Sequence, residues 1–242
     1  AVYGIAIGDL NADGRNDVVQ ARSEATNAVF FQLGTNQELE QPSSNDKQWL
    51  TYPGGEGPGK GKRIVLIAAE QEYRSEQSMP MMAKILSTHH GFDCTVLFAV
   101  NGNGDVDPTL PVYPEKGKEA SFQDHHIPGL EHLASADLVI FFTRLLTLPK
   151  SELEQIVNYV DSGKPFIALR TSNHGFRGPL PYKINGKQIR WGEDVLGGAF
   201  LNHHGRWHAD STRGILVQDQ MQHPILIGVN DVWGDSDVYR TY

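Results

Sequence analysis

Apolar and polar residues fall into blocks along most of the chain, and the period inside successive blocks switches between that of a strand and that of a helix. Residues 63–69 form an apolar run of strand length, and residues 75–89 then place Met79, Met82, Ala83, Ile85 and Leu86 at helical spacing, with Gly91 as a natural stop. A second strand is expected over residues 93–100, a short helix around Leu130, Leu133 and Ala134, and a third strand over residues 137–143. Pro149 opens a helix carrying Leu153, Ile156, Val157 and Val160, which Gly163 ends. The apolar run beginning at Pro165 gives way at Arg170 to a polar turn, and it reads as a central buried strand delivering Arg170, Thr171 and His174 to a site. Strand and helix in alternation imply an α/β fold, a parallel sheet covered on both faces. In open sheets of that kind ligands sit beyond the carboxyl ends of the strands, where polar residues after a strand are placed.

Further along, residues 213–219 read as another strand, and His223-Pro224 as a turn before one more. Residues 101–126 and 177–193 carry no period, and loops of that length serve as functional covers or are disordered. Before the alternating region the composition differs. Residues 35–61 are polar and then rich in glycine and proline, which is the composition of a linker and sets a domain boundary near residue 61. In residues 4–20 oxygen-bearing side chains occupy every second position around a glycine: Asp9, Asn11, Asp13 and Asp17, with the Arg15 carbonyl between them. A hard cation such as calcium takes six to eight oxygens, and a tight loop with a glycine bend supplies them. The twelfth position of a helical calcium loop would be Glu, whereas here it is Gln20, and the flanking Ile5 to Ile7 and Val18 to Val19 favour strands.

Charge and composition narrow the partners. Of 242 residues, 29 are acidic and 21 basic, giving a net charge of −8, a balance that disfavours nucleic acid and anionic membranes. The longest apolar stretch, residues 138–148, is broken by Thr143 and Arg144 and falls short of the roughly 20 residues a membrane helix needs. A lone cysteine, Cys94, has no intrachain disulfide partner and reads as a small buried apolar residue. The chain starts at Ala1 without methionine or leader, which suggests a processed form or a fragment.

Two resemblances follow from the motifs. The calcium-type loop and the strand-like run over residues 27–34 resemble an FG-GAP or VCBS repeat, so residues 1–36 are expected to be a piece of a propeller blade, 37–61 a linker, and 62–242 a second domain. The residues 68–76 (AAEQEYRSE), 169–174 (LRTSNH), 202–205 (NHHG), His223-Pro224 and Asp237-Val238-Tyr239 resemble the ThuA-like, or trehalose-utilisation, family. That resemblance implies the class I glutamine amidotransferase-like fold, a flavodoxin-like relative, and an involvement in carbohydrate use. Amidotransferases of this fold place a cysteine after the central strand; Arg170 and Thr171 stand in that neighbourhood, and neither replaces a thiol. The FG-GAP resemblance, and the abundance of calcium outside cells, point to an extracytoplasmic address.

The expected chemistry centres on His174 and His203 as acid/base groups, imidazole being suited to proton transfer near neutral pH, with Arg170 orienting the substrate. Arg74 and Arg144, also at or after strand ends, can clamp a hydroxylated or carboxylated ligand, or pair with Glu70, Glu72 or Asp237. Glu72, Thr171, His204, Asp237 and Tyr239 complete the expected substrate-binding set. Zinc at the histidines is a further option, although His203 and His204 would point apart in an extended segment and Gly205 makes a helical pairing of His204 with His208 doubtful. Trp191, Trp207 and Trp233 are candidates for a sugar-stacking platform. The expected ligand is a sugar or keto-sugar, either processed or simply bound by a non-catalytic carbohydrate-binding module.

Overall fold

The computed structural model describes residues 2–8, 17–22, 28–30, 48–101, 103–106, 125–177, 180–207 and 209–241. The chain divides into two units, Ala1–Lys47 and Gln48–Tyr242. In the first, β1 (Val2–Gly8), β2 (Asp17–Arg22) and β3 (Ala28–Phe30) form an antiparallel sheet in that order. Asp9, Asn11, Asp13 and Arg15 lie outside the described residues, and Asp17 is placed only as the first residue of β2, opposite Gly8.

The second unit is a mixed α/β fold built on a five-stranded sheet. Its strands are β4 (Trp49–Tyr52), β5 (Arg63–Ala69), β6 (Asp93–Phe98), β7 (Leu138–Thr143) and β8 (Phe166–Ala168), in the order β4-β6-β5-β7-β8. Only β4 runs antiparallel. Strand β5 shows why the sheet is covered on both sides. Ile64, Leu66 and Ala68 face one apolar cluster with Met79 and Ala83 of α1 (Ser75–His90), while Val65, Ile67 and Ala69 face another with Ile156 and Val157 of α2 (Lys150–Asp161). Side chains alternate across a strand, so a run buried at every position needs a layer on each face. Gly91 ends α1 in the left-handed conformation, its N–H bonded to Leu86 and Ser87 carbonyls, as its sequence position indicated.

Three expectations are corrected. Residues 37–61 are not a free linker: β4 lies within them, just before the glycines, and pairs with β6, so the boundary falls at 47/48. Its glycines serve close packing, since a Cβ on Gly54 would sit 2.3 Å from the Gly91 carbonyl oxygen and one on Gly59 2.4 Å from the Phe92 ring. The strand before Arg170 is not central but an edge strand, with Ile167 47% exposed; an apolar run of strand length does not distinguish the two. Beyond β8 the chain forms the short paired strands β9 (Lys183–Ile184) and β10 (Lys187–Gln188); residues 213–219 hold only the end of another short strand, β12 (Thr212–Gly214), paired with β13 (Val232–Gly234), and His223 precedes a 3-10 turn, Pro224–Leu226, whose Ile225 N–H its ring caps.

Candidate functional site

Three neighbouring strands, β5, β7 and β8, release their chains at one edge of the sheet, and each release is locked differently. After β5, Ser75 fixes the turn by accepting the Glu70 N–H (2.8 Å) and donating its hydroxyl to the Glu70 carbonyl (2.7 Å). The buried Glu70 carboxylate takes the N–H groups of Glu72 (3.1 Å) and Tyr73. Arg74, in the left-handed conformation at φ 58, pairs with Glu76 at 2.9 Å. After β7, Arg144 lies 3.1 Å from Glu72 and 3.9 Å from Glu70. After β8, Arg170 adopts φ 34, a strained conformation for a residue with a Cβ, and opens the 3-10 turn Arg170–His174. Ser172 holds this turn from inside by donating to the Phe141 carbonyl (2.9 Å) and accepting the Thr143 N–H (3.0 Å). Gly175 fits because a Cβ there would lie 2.2 Å from Thr143 Oγ1.

The opposing wall is a two-stranded antiparallel sheet of β11 (Phe200–His204) and β14 (Val238–Thr241), with His203 paired to Tyr239. Asp237, buried just before β14, joins the two walls. Its Oδ2 accepts the His203 Nδ1–H at 2.7 Å, while Arg170 donates to its carbonyl (2.9 Å), to its Oδ1 (3.3 Å) and to the Ser236 hydroxyl (2.9 Å). The Arg170 guanidinium lies between the rings of Tyr239 (4.4 Å) and Tyr73 (5.2 Å), so it is fixed by cation–π contacts as well. His174 donates Nδ1–H to Asn173 Oδ1 at 2.7 Å. The Phe200 ring is 4.8 Å from His174 and 5.3 Å from His203; Tyr239 is 5.7 and 5.5 Å from them. Both imidazoles therefore border one aromatic pair, each anchored through Nδ1, which leaves Nε2 for an incoming molecule.

Burial sets the charge states. It pushes His174 down to about 4, helped by the neighbouring Arg144, His203 and Arg170, so this ring is neutral at pH 7. It pushes Glu70 up to about 7, against the lowering effect of the Tyr73 and Glu72 N–H groups and of Arg144. Burial also opposes ionisation of Asp237, but the hydrogen bond from His203, with Arg170 and Ser236, outweighs it and holds the carboxyl below its usual range. The Tyr239 phenol is raised by burial and by Tyr73.

Two clefts flank the turn that bears His174. One, about 660 Å³, is lined by Asn173, His174, Phe176 and Trp191, with Lys187 and Arg190 among its other residues. The second, about 520 Å³, has Arg170, Asn173, Phe166 and Thr241 in its lining. Of the expected site residues, His174, His203, Arg170, Asp237 and Tyr239 converge, and Glu72 with Arg144 lies next to them through Tyr73. Thr171 is fully buried and presents no surface to a ligand. His204 is exposed and follows His203 in the strand, facing the other way, and Arg74 is engaged on its own helix. Asn173, Tyr73, Phe200 and Ser236 were not singled out by sequence; Asn173 and Tyr73 stand inside motifs that were, beside His174 and Arg74. Among the described residues no three His, Cys, Asp or Glu side chains gather as a metal cradle. Trp191 belongs to the core, its Nε1–H bonded to the Ser172 carbonyl at 2.6 Å.

Fold and site together define an α/β protein with an Asp-anchored histidine facing a second, neutral histidine at the carboxyl edge of its sheet. No family model, no curated protein and no solved structure matches the chain.

Proposed function

We propose that residues 48–242 form a sugar-processing domain of ThuA-like type with a flavodoxin-like sheet, in which His203 moves a proton on a sugar or keto-sugar. The observation that carries this reading is the Asp237–His203 pair: a buried carboxylate that fixes the Nδ1–H tautomer makes Nε2 the basic atom and stabilises the imidazolium that forms. The strand order supports the fold reading, since leaving out the antiparallel β4 it runs 2-1-3-4. His203 Nε2 takes a proton from a sugar hydroxyl, or from the carbon beside a keto group, and returns it at a later step. His174, neutral and a weak base, accepts a hydrogen bond from a neighbouring hydroxyl and orients the ring. Arg170 acts through Asp237, since its two terminal nitrogens are engaged with Asp237 and Ser236. Cysteine-dependent amide hydrolysis has no nucleophile available: Cys94 is buried in β6, its thiol pushed up to about 12 by burial and by Asp93.

A non-catalytic carbohydrate-binding module is the second reading, favoured by the weak basicity of His174. Turnover of a panel of sugars and keto-sugars separates the two. Catalysis predicts that His203→Ala lowers kcat by about 10²–10⁴-fold with little change in ligand affinity. A wild-type protein that binds a sugar and turns none over supports the binding module instead.

A further inference from the structure

We infer that residues 212–234 form an arm by which two copies of this chain clasp each other about a two-fold axis; this does not rest on the sugar-processing reading above. None of these residues is buried, and neither apolar cluster of the domain includes one. Yet the segment is rich in large apolar side chains. Ile215 is 90% exposed, Ile227 81% and Ile225 78%, and Val217, Val232 and Trp233 are exposed as well. Its base is the β12–β13 pair. Between those strands the main chain is held by turns closed over three residues, such as the Gln220 N–H on the Val217 carbonyl (2.9 Å) and the Leu226 N–H on the His223 carbonyl (2.8 Å). A two-stranded hairpin is marginal in water without an apolar surface to pack against, and exposed apolar area of this extent marks an interaction site. Area and charge both select a second copy as the occupant. The six side chains expose on the order of 800 Å² between them, about what one partner contributes to a standard-size interface. The arm carries one Arg against two Asp, and Arg213 bonds Asp231 at 3.2 Å, which leaves Asp219. A centre poor in charge, with an aromatic side chain, is the composition of homodimer interfaces. In a chain of net charge −8 this near-neutral segment is where a like-charged copy meets least repulsion, whereas a basic partner finds little there to pair with. Contact of the same segment with itself is isologous and closes at two copies. The arm is also rooted beside the site: Thr212 Oγ1 donates to the Ser236 carbonyl at 2.7 Å, and the Ser236 hydroxyl is a partner of Arg170.

The test is sedimentation of the complete chain from about 1 to 100 µM, a range that reaches the weak end for interfaces of this size. Wild type is expected to be a dimer over most of it. The double variant Ile225→Asp with Ile227→Asp is expected to raise the dimer dissociation constant about 100-fold or more, and the milder Ile215→Ser about tenfold. Because these side chains are exposed in the single copy, the far-UV spectrum of each variant is expected to match wild type. Ile184→Asp, on exposed β9, is expected to leave the dimer unchanged. Amide hydrogen exchange adds a second readout: residues 215–231 are expected to be slower in the dimer than in the diluted monomer. A wild type that stays monomeric overturns the inference, as does a dimer that survives both arm substitutions or leaves those amides unprotected. A monomer that instead floats with phosphatidylcholine vesicles also overturns it, by assigning the arm to a lipid surface.

Discussion

Asp237→Ala is expected to lower the unfolding free energy by about 3–5 kcal/mol, the largest stability effect at the site. The carboxylate is buried and is the meeting point of three elements: the turn after β8 through Arg170, β11 through His203, and the start of β14 through its own backbone. Removing it takes the carboxylate from a partly buried guanidinium, which keeps the main-chain carbonyl of residue 237 and the Ser236 hydroxyl, and frees His203 to rotate. Asp237→Asn separates the structural from the chemical part. The amide keeps the shape and a carbonyl acceptor, so the stability loss is expected near 1–2 kcal/mol. It no longer stabilises an imidazolium, so turnover is expected to fall about as far as in His203→Ala. Urea unfolding and turnover on the same samples check both; an Asp237→Asn protein with wild-type turnover contradicts a catalytic role for the pair.

The second large effect concerns pH. Folding raises the Glu70 pKa to about 7 and lowers that of His174 to about 4. Stability from Glu70 is complete below about 4.5 and is lost as pH rises through 7; stability from His174 is complete above about 6.5 and is lost as pH falls through 4. Between these limits the folded and unfolded states each hold one proton, on Glu70 when folded and on His174 when unfolded, so the two slopes cancel. Arg144 and Glu72 are the charges that act on Glu70. Wild type is therefore expected to be nearly flat in stability from about pH 4.5 to 6.5. His174→Ala exposes the Glu70 slope, a fall of about 1 kcal/mol per unit as pH rises, and Glu70→Gln exposes the opposite slope, reduced because part of the His174 ring meets water. Denaturant midpoints measured across pH 4–8 check the signs. Slopes of the same sign in the two variants contradict a protonated Glu70 beside a neutral His174.

How much of this was legible in the sequence depended on the element. Strand β5 and the two helices were readable because β5 is apolar at successive positions, the helices repeat at helical spacing, and Gly91 and Gly163 sit where the helices end. Strand β4 was masked by the glycines that follow it, which serve close contact with residues 90–93 rather than freedom of the chain. The edge position of β8 left no trace, because Phe166, Ile167 and Ala168 are apolar whether or not a neighbour covers them. At the site, His174, Arg170, His203 and Asp237 were singled out as motif residues, Arg170 and His174 by their place just after a strand. The division of labour among them was not. That Arg170 spends its fork on Asp237, between two tyrosine rings, depends on a contact across 67 residues of chain. Thr171 looked available because it follows Arg170, yet the 3-10 turn directs it inward.

Ring-nitrogen NMR of 15N-histidine protein, titrated with a keto-glucoside at pH 7, reads the tautomer of both rings and their contact with ligand in one experiment. The expected result is the proton on Nδ1 of both His174 and His203, His174 neutral down to about pH 5, and both Nε2 signals moving on addition of the sugar. A proton on Nε2 of His203, or two Nε2 signals that ignore every sugar, contradicts it.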